Sequence, residues 1–120
     1  MNTLIVIPCY NHNDLCNNLI SKIKNYNILV IDDGSDIKFT INSSLSSFII
    51  IRNNVNKGKG YSIKKGAQYA INNNYTHILV IDADLQHDPL KIDFFINNNK
   101  KYDIVYGKRK FDTNMPFLRI

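Results

Sequence analysis

Apolar residues in this chain fall in short continuous runs separated by polar segments rich in Asn and Gly. Thr3-Leu4-Ile5-Val6-Ile7 is an unbroken, largely β-branched run, the pattern of a strand buried on both faces. Pro8-Cys9-Tyr10-Asn11 breaks it. Asn13 or Asp14 can then cap a helix that carries Leu15, Leu19, Ile20 and Ile23 along one side. Asn27-Ile28-Leu29-Val30-Ile31 is a second buried strand, followed by the turn Asp32-Asp33-Gly34-Ser35, in which Gly34 is free to take positive φ. Residues 36–46 are too polar and too short to read as a helix. Phe48-Ile49-Ile50-Ile51 is a third strand, and Asn53 to Gly60 a polar, glycine-containing loop. Ile63, Ala67, Ala70 and Ile71 mark the face of a second helix, and residues 75–81 a fourth strand. Asp88-Pro89 supplies an N-cap and a first helical position for a helix running to about Ile96 and ending in Asn97-Asn98-Asn99. Residues 102–106 predict a fifth strand. The remainder, 107–120, is basic and lacks clear periodicity.

Strand, helix and strand therefore alternate. That order predicts an α/β fold with an open, mostly parallel sheet and helices on both faces. The 120 residues read as a single domain, 1–120, with no repeat, low-complexity linker or internal boundary. A hydrophobic content of 44% is enough for a real core. No apolar stretch approaches the roughly 20 residues that span a bilayer. The amino terminus lacks the pattern of a secretory signal, so a cytoplasmic location and reduced thiols are expected for Cys9 and Cys16. Cys9, His12 and Cys16 fit no established zinc spacing. His77, inside an apolar run, reads as a structural histidine.

Charge changes the picture. Residues 1–50 hold three Lys and four Asp, whereas residues 51–120 hold twelve Lys and Arg against six Asp, for a total of +5. A basic second half suits an anionic ligand, although Lys-rich helices are often only solvated faces. All ten acids are Asp, and Asn and Ile are abundant, so single Asn and Lys residues carry little weight.

The strongest chemical signal is Ile81-Asp82-Ala83-Asp84-Leu85-Gln86-His87-Asp88-Pro89. Two carboxylates one residue apart stand where the fourth strand ends. Ligands of parallel α/β sheets bind at the carboxyl ends of strands. Nearby carboxylates repel unless a cation lies between them. Asp82, Asp84 and Gln86 are therefore candidate ligands of Mg²⁺ or Mn²⁺, hard cations that take oxygen donors, with Asp82 alternatively reaching a ribose hydroxyl. A bare polar turn capping the next helix would explain Asp88 but not the Asp pair.

Weaker signals surround it. Asp32-Asp33-Gly34-Ser35 ends strand two, where a carboxylate can accept from a base or a ribose; an ordinary Asp-Gly turn is the alternative. Tyr10 could stack on a base or be a half-buried aromatic. Asn56-Lys57-Gly58-Lys59-Gly60 could wrap phosphates through backbone N–H groups and Lys ammonium, but it is not a P-loop. Gly107-Lys108-Arg109-Lys110 and Arg119 could clamp a phosphate or form a solvated tail.

Taken in order, "IVIPCYN", "VIDDGSD", "NKGKGYSIKKGAQYA", "VIDADLQHDP" and "VYGKR" resemble the successive blocks of the family 2 glycosyltransferases of GT-A fold, and most nearly the dolichol-phosphate mannose synthase-like, polyprenyl-phosphate branch. The resemblance runs from residue 3 to about residue 119. It implies the Rossmann-like, nucleotide-binding part of a GT-A fold. It also implies metal-dependent transfer of a sugar from a nucleotide-diphosphate sugar to an acceptor, with inversion. Pro8, Tyr10, Asn11, Asp33 and Lys59 would contact the donor. Asp82, Asp84 and Gln86 would hold the divalent metal and the ribose–diphosphate, and Arg109 and Arg119 would meet phosphate oxygens. Asp84, Arg109 and Arg119 would carry the catalytic step.

A polyprenyl phosphate is the acceptor this pattern favours. A lipid phosphate is already anionic and needs no general base, and no convincing base carboxylate follows Asp88. Such an acceptor implies a position peripheral to the inner face of the membrane. Members of the family normally continue well beyond this length, so the chain is expected to lack the C-terminal part. The alternative expectation is a catalytically incomplete nucleotide-sugar-binding fragment that needs a missing region or a partner. A nucleotidyltransferase would want a glycine-rich loop where Tyr10-Asn11-His12-Asn13 stands. Nucleic-acid binding has charge in its favour but no aromatic-basic platform.

Overall fold

The computed structural model describes residues 2–41, 48–82, 92, 93 and 96, and the backbone of 106–107 and 118–119. The elements are β1 (Thr3–Cys9), α1 (Asn13–Lys22), β2 (Asn27–Asp32), β3 (Phe48–Arg52), α2 (Lys59–Asn72), β4 (His77–Val80), β5 (Tyr106–Gly107) and β6 (Leu118–Arg119). The first four strands form one parallel sheet in the order β3-β2-β1-β4. The predicted α/β architecture is the one observed.

Burial on both faces explains why the strands read as unbroken apolar runs. Ile5, Ile7 and Cys9 of β1 point to one side, where they pack with Cys16, Leu19, Ile20 and Ile23 from α1 and its exit. Leu4 and Val6 point to the other side and pack with Ala70, Ile63 and Tyr69 of α2. Residues alternate across a strand, so one apolar run feeds two cores. At Gly66 the helix has no room for a side chain: a Cβ there would lie 2.6 Å from Val6 Cγ1. Strand β1 includes Pro8 and Cys9, two residues beyond the predicted run. Its ladder with β4 stops at Val6, so at Pro8 only β2 remains as a neighbour to pair with.

Three expectations need correction. Asn13 and Asp14 do not cap α1; the cap is His12, without a side-chain bond, and both residues lie in the first turn. Asp14 there complements the positive end of the helix dipole. Ile71 is not on the buried face of α2 but 68% exposed; the buried positions are Ser62, Gly66 and Ala70. Small residues let the helix lie close to the sheet, which turns the bulkier Ile71 outward. The fourth strand starts at His77 because Thr76 and its hydroxyl are engaged with the backbone of Asn2.

Ile92, Asp93 and Ile96 are helical, within the helix predicted from Asp88. Ile92 is buried against the α1 side of the sheet. Tyr26 donates its hydroxyl proton to Asp93, pinning this segment to the α1–β2 connection. Of the predicted fifth strand, residues 102–105 lie outside the described residues. Tyr106 and Gly107 pair antiparallel with Leu118 and Arg119, a strand the sequence did not reveal.

Candidate nucleotide and metal site

The carboxyl edge of the sheet brings together the turns after β1 and β2, the first residues after β4 and the start of α2. Asp33 donates its backbone N–H to the Cys9 carbonyl at 2.8 Å, which joins the first two turns. Asn11 completes the join. Its N–H donates to Ser35 Oγ at 2.9 Å, and its Oδ1 accepts the Asp36 N–H at 2.8 Å. Asn11 adopts a φ of +56°, a conformation Asn tolerates better than most residues. Tyr10 stands 42% exposed on this edge, and Pro8 is half-buried. A cleft of about 590 Å³ opens at Asn11, between residues 11–15 and Asp36–Ile37; neither Tyr10 nor Pro8 lines it.

The two acids of the β2 turn are both buried and have different partners. Asp32 accepts from the Ser35 N–H (3.0 Å), the Phe39 N–H (2.9 Å) and Arg52 Nη1 (2.6 Å). Burial works to raise its pKa, but the donated hydrogen bonds and the guanidinium outweigh it and hold the carboxyl below the usual range. Arg52 also donates from Nη2 to the Ser35 carbonyl at 2.9 Å, so this pair braces the turn.

Asp33 faces the loop before α2. Its carboxylate accepts from Asn53 Nδ2 (2.8 Å), Asn56 Nδ2 (3.2 Å), the Lys57 N–H (2.8 Å) and the Gly58 N–H (2.9 Å). Asn53 in turn accepts from Lys65 Nζ at 2.8 Å and donates to Ser62 Oγ at 3.2 Å. The N–H groups of Lys57 and Gly58, read from sequence as part of a phosphate cradle, thus meet the chain's own carboxylate. That places an anion at the positive end of α2. Asn53 and Arg52 had not been singled out from sequence, and Asn56 only as part of that backbone cradle, not for its side chain.

Lys59, the first residue of α2, extends to Asp82 at the end of β4, with Nζ 2.5 Å from Oδ1. The Asp82 side chain is 14% exposed. Lys57 and Lys65 take another course, both lying over the Tyr61 ring at 5.5 and 6.0 Å. Asp84, Gln86 and Arg109 lie outside the described residues. Arg119 is placed by its backbone, opposite Tyr106 in the β5–β6 pair. The expected metal ligands Asp82, Asp84 and Gln86 offer only oxygen donors, the set that suits Mg²⁺ or Mn²⁺. Of the three, Asp82 is the one among the described residues, and its carboxylate is paired with the Lys59 ammonium.

Among the described residues no three His, Cys, Asp or Glu side chains gather as a metal would need. Cys9 and Cys16 are buried free thiols. A hydrogen bond from Cys16 and one from the His12 backbone lower the Cys9 pKa against its burial, while Cys16, as the donor, is pushed up. His77 has the Thr76 hydroxyl as its ring partner, at 2.8 Å.

Comparison with known proteins identifies the family. The model for glycosyl transferase family 2 matches residues 4–119. The chain is 33% identical to a dolichol-phosphate mannosyltransferase of Pyrococcus furiosus, with 99% of the chain and 37% of that protein aligned. It is 29% identical to a UDP-N-acetylglucosamine–dolichyl-phosphate N-acetylglucosaminyltransferase of Methanococcus voltae, over 96% of the chain and 56% of the relative. An uncharacterised protein of Methanocaldococcus jannaschii is 28% identical over 90% of the chain and 52% of its own length. The chain therefore spans about half the length of the curated relatives it matches, or less. No solved structure gives a significant match. On the family match across nearly its whole length, the chain belongs to glycosyl transferase family 2.

Proposed function

We propose that this chain forms the donor-binding part of a metal-dependent glycosyltransferase that moves a sugar from a nucleotide-diphosphate sugar to a polyprenyl phosphate, with inversion at the anomeric carbon. The observation that carries the reading is the Lys59–Asp82 ion pair at the carboxyl end of β4, directly before Asp84 and Gln86. It sets a carboxylate and an ammonium side by side where a metal diphosphate needs both. The names of the two dolichyl-phosphate relatives support the acceptor class.

In this reading Asp82, Asp84 and Gln86 hold the metal. When bound, the ion acts as a Lewis acid that neutralises charge on the departing nucleoside diphosphate. Lys59, at the start of α2 beside Asp82, would be placed to meet a phosphate oxygen of the donor. Tyr10, Pro8 and Asn11 contact the nucleoside beside the cleft, whose volume is in the range of ligand pockets. Arg109 and Arg119 meet phosphate oxygens of donor or acceptor. The acceptor phosphate attacks as an anion, so no protein base is required. Among the described residues no helix is long and apolar enough to cross a membrane, and a membrane-borne acceptor would then be met from the surface.

A second reading is that these residues bind the donor without by themselves forming an acceptor cleft, and positioning of the acceptor carries a large part of catalysis. Incubation with Mn²⁺, UDP- or GDP-linked sugars and a short polyprenyl phosphate in detergent tests the two. Sugar-lipid product that disappears in Asp84→Ala supports the transferase. Metal-dependent donor binding without product supports the donor-binding fragment. Absence of both contradicts the proposal.

A further inference from the structure

We infer that the outward side of α2, centred on Tyr61, is a docking surface for an anionic phospholipid bilayer. The inference rests on the reading above in one respect, that the sugar acceptor is borne by a membrane. From Ile37 to Ile81 the chain holds six Lys and Arg residues and no Asp or Glu. Two of these cations are committed inside the fold, Arg52 to Asp32 and Lys59 to Asp82. Among the described residues no acid pairs with Lys57, Lys64 or Lys65. That leaves a cationic face with no counter-charge of its own, and an anionic surface is its electrostatic complement.

Helical spacing gathers this face. Ser62, Gly66 and Ala70 are the buried positions of α2, so Tyr61, Lys64, Lys65 and Ile71 come round on the side away from the sheet. Tyr61 is 46% exposed and Ile71 68%. Lys57, in the loop before the helix, and Lys65, one turn beyond Tyr61, hold their ammonium groups 5.5 and 6.0 Å from the centre of the Tyr61 ring. An exposed phenol ring bordered by ammonium groups matches the headgroup layer of a bilayer, where amphipathic rings settle and Lys meets phosphate. A nucleic acid fits less well. Two ammonium groups already lie over the ring on which a base would stack, and Ile71 adds apolar surface that a phosphate backbone cannot use. Lys57 and Tyr61 stand two residues either side of Lys59, so a bilayer seated here lies beside the Lys59–Asp82 pair.

The test is co-sedimentation with vesicles of phosphatidylcholine, alone or mixed with phosphatidylserine. It compares wild type, Lys57→Gln/Lys64→Gln and the matched pair Lys22→Gln/Lys24→Gln, which removes equal charge from exposed positions at the end of α1. Wild type is expected on the acidic vesicles and not on the neutral ones, with binding lost at high salt. Lys57→Gln/Lys64→Gln should weaken the partition coefficient by about 30-fold, at about fivefold for each Lys near an anionic surface. The matched pair should weaken it by no more than about twofold, because charges far from the contact are screened. Equal weakening by the two pairs, or wild type that ignores the acidic vesicles, would overturn the inference. A preference for a DNA or RNA oligonucleotide over acidic vesicles at the same salt would assign the face to nucleic acid and would overturn it too.

A spectroscopic readout locates the contact. The chain has no Trp, so Tyr61→Trp supplies a single reporter at the centre of the face, at a position exposed enough to leave the core undisturbed. Its emission should shift to the blue on acidic vesicles and be quenched by phospholipids brominated close to the headgroup. Unchanged emission on vesicles that do bind the protein would place the contact elsewhere and overturn the inference. No nucleotide or metal enters these assays. Failure to bind acidic vesicles therefore strikes this inference and leaves the donor site standing, whereas a chain that binds the vesicles but no nucleoside diphosphate strikes the donor-site reading instead.

Discussion

Replacing Gly34 by Ala perturbs one atom at the junction of the β2 turn and the loop before α2. Two penalties apply. The φ of +73° is left-handed backbone, which costs an L-residue roughly 1–2 kcal/mol. The new Cβ would sit 2.5 Å from the Val55 carbonyl carbon, 2.6 Å from the Asn56 nitrogen and 2.9 Å from the Val55 Cα. All three are backbone atoms and cannot swing aside, so the loop must shift, at a cost typical of overpacking, about 1–3 kcal/mol. The sum is about 2–5 kcal/mol. Gly60→Ala is the matched control. Its Cβ meets nothing within 4 Å, and its place in the first turn of α2 favours Ala by roughly 0.5–1 kcal/mol. Urea unfolding of both variants measures the difference, with an unchanged m-value confirming that only stability moved. The Lys57 and Gly58 amides should exchange faster in Gly34→Ala, because the shifted loop leaves Asp33. A Gly34→Ala protein within about 0.5 kcal/mol of wild type, the scatter of a neutral surface change, would refute the reasoning.

Arg52→Met leaves Asp32 buried without its guanidinium, and urea unfolding at neutral pH should show a loss of about 2 kcal/mol, less than for a fully buried pair because Arg52 is 31% exposed. The pKa of Asp32 is lowered from 3.8, so its contribution is complete above the ordinary carboxylate value and is lost as pH falls through the lower folded value. The stability difference between wild type and Asp32→Asn should therefore shrink on acidification below about pH 4, and a difference that grows there would contradict the assignment. Ile71→Lys should change stability by no more than about 0.5 kcal/mol, since the residue is exposed; a large loss in the same assay would return Ile71 to the core.

The sheet was legible because its strands are buried on both faces, which leaves continuous apolar runs that need no periodicity to be found. The buried face of α2 was less legible. Ser62 and Gly66 pack against the sheet because they are small, and a search for apolar spacing selects Ile71 instead. The β5–β6 pair was missed in part because two-residue strands carry no pattern. In the site, the acids were found by their place at strand ends, but composition cannot say which way a carboxylate turns. Asp32 and Asp33 are adjacent in sequence. One holds Arg52 and its own turn, while the other holds the loop of Asn53 and Asn56. Asn53 was hidden by the abundance of Asn elsewhere in the chain, and Asn56 was read only as part of a backbone cradle.

Calorimetric titration of UDP and GDP into the chain, with Mn²⁺ and then with chelator, tests the central claim most directly. The account predicts binding of a nucleoside diphosphate that requires the metal and is abolished in Asp82→Ala and in Asp84→Ala. Weak binding of every nucleotide, indifferent to metal and to both substitutions, would contradict it.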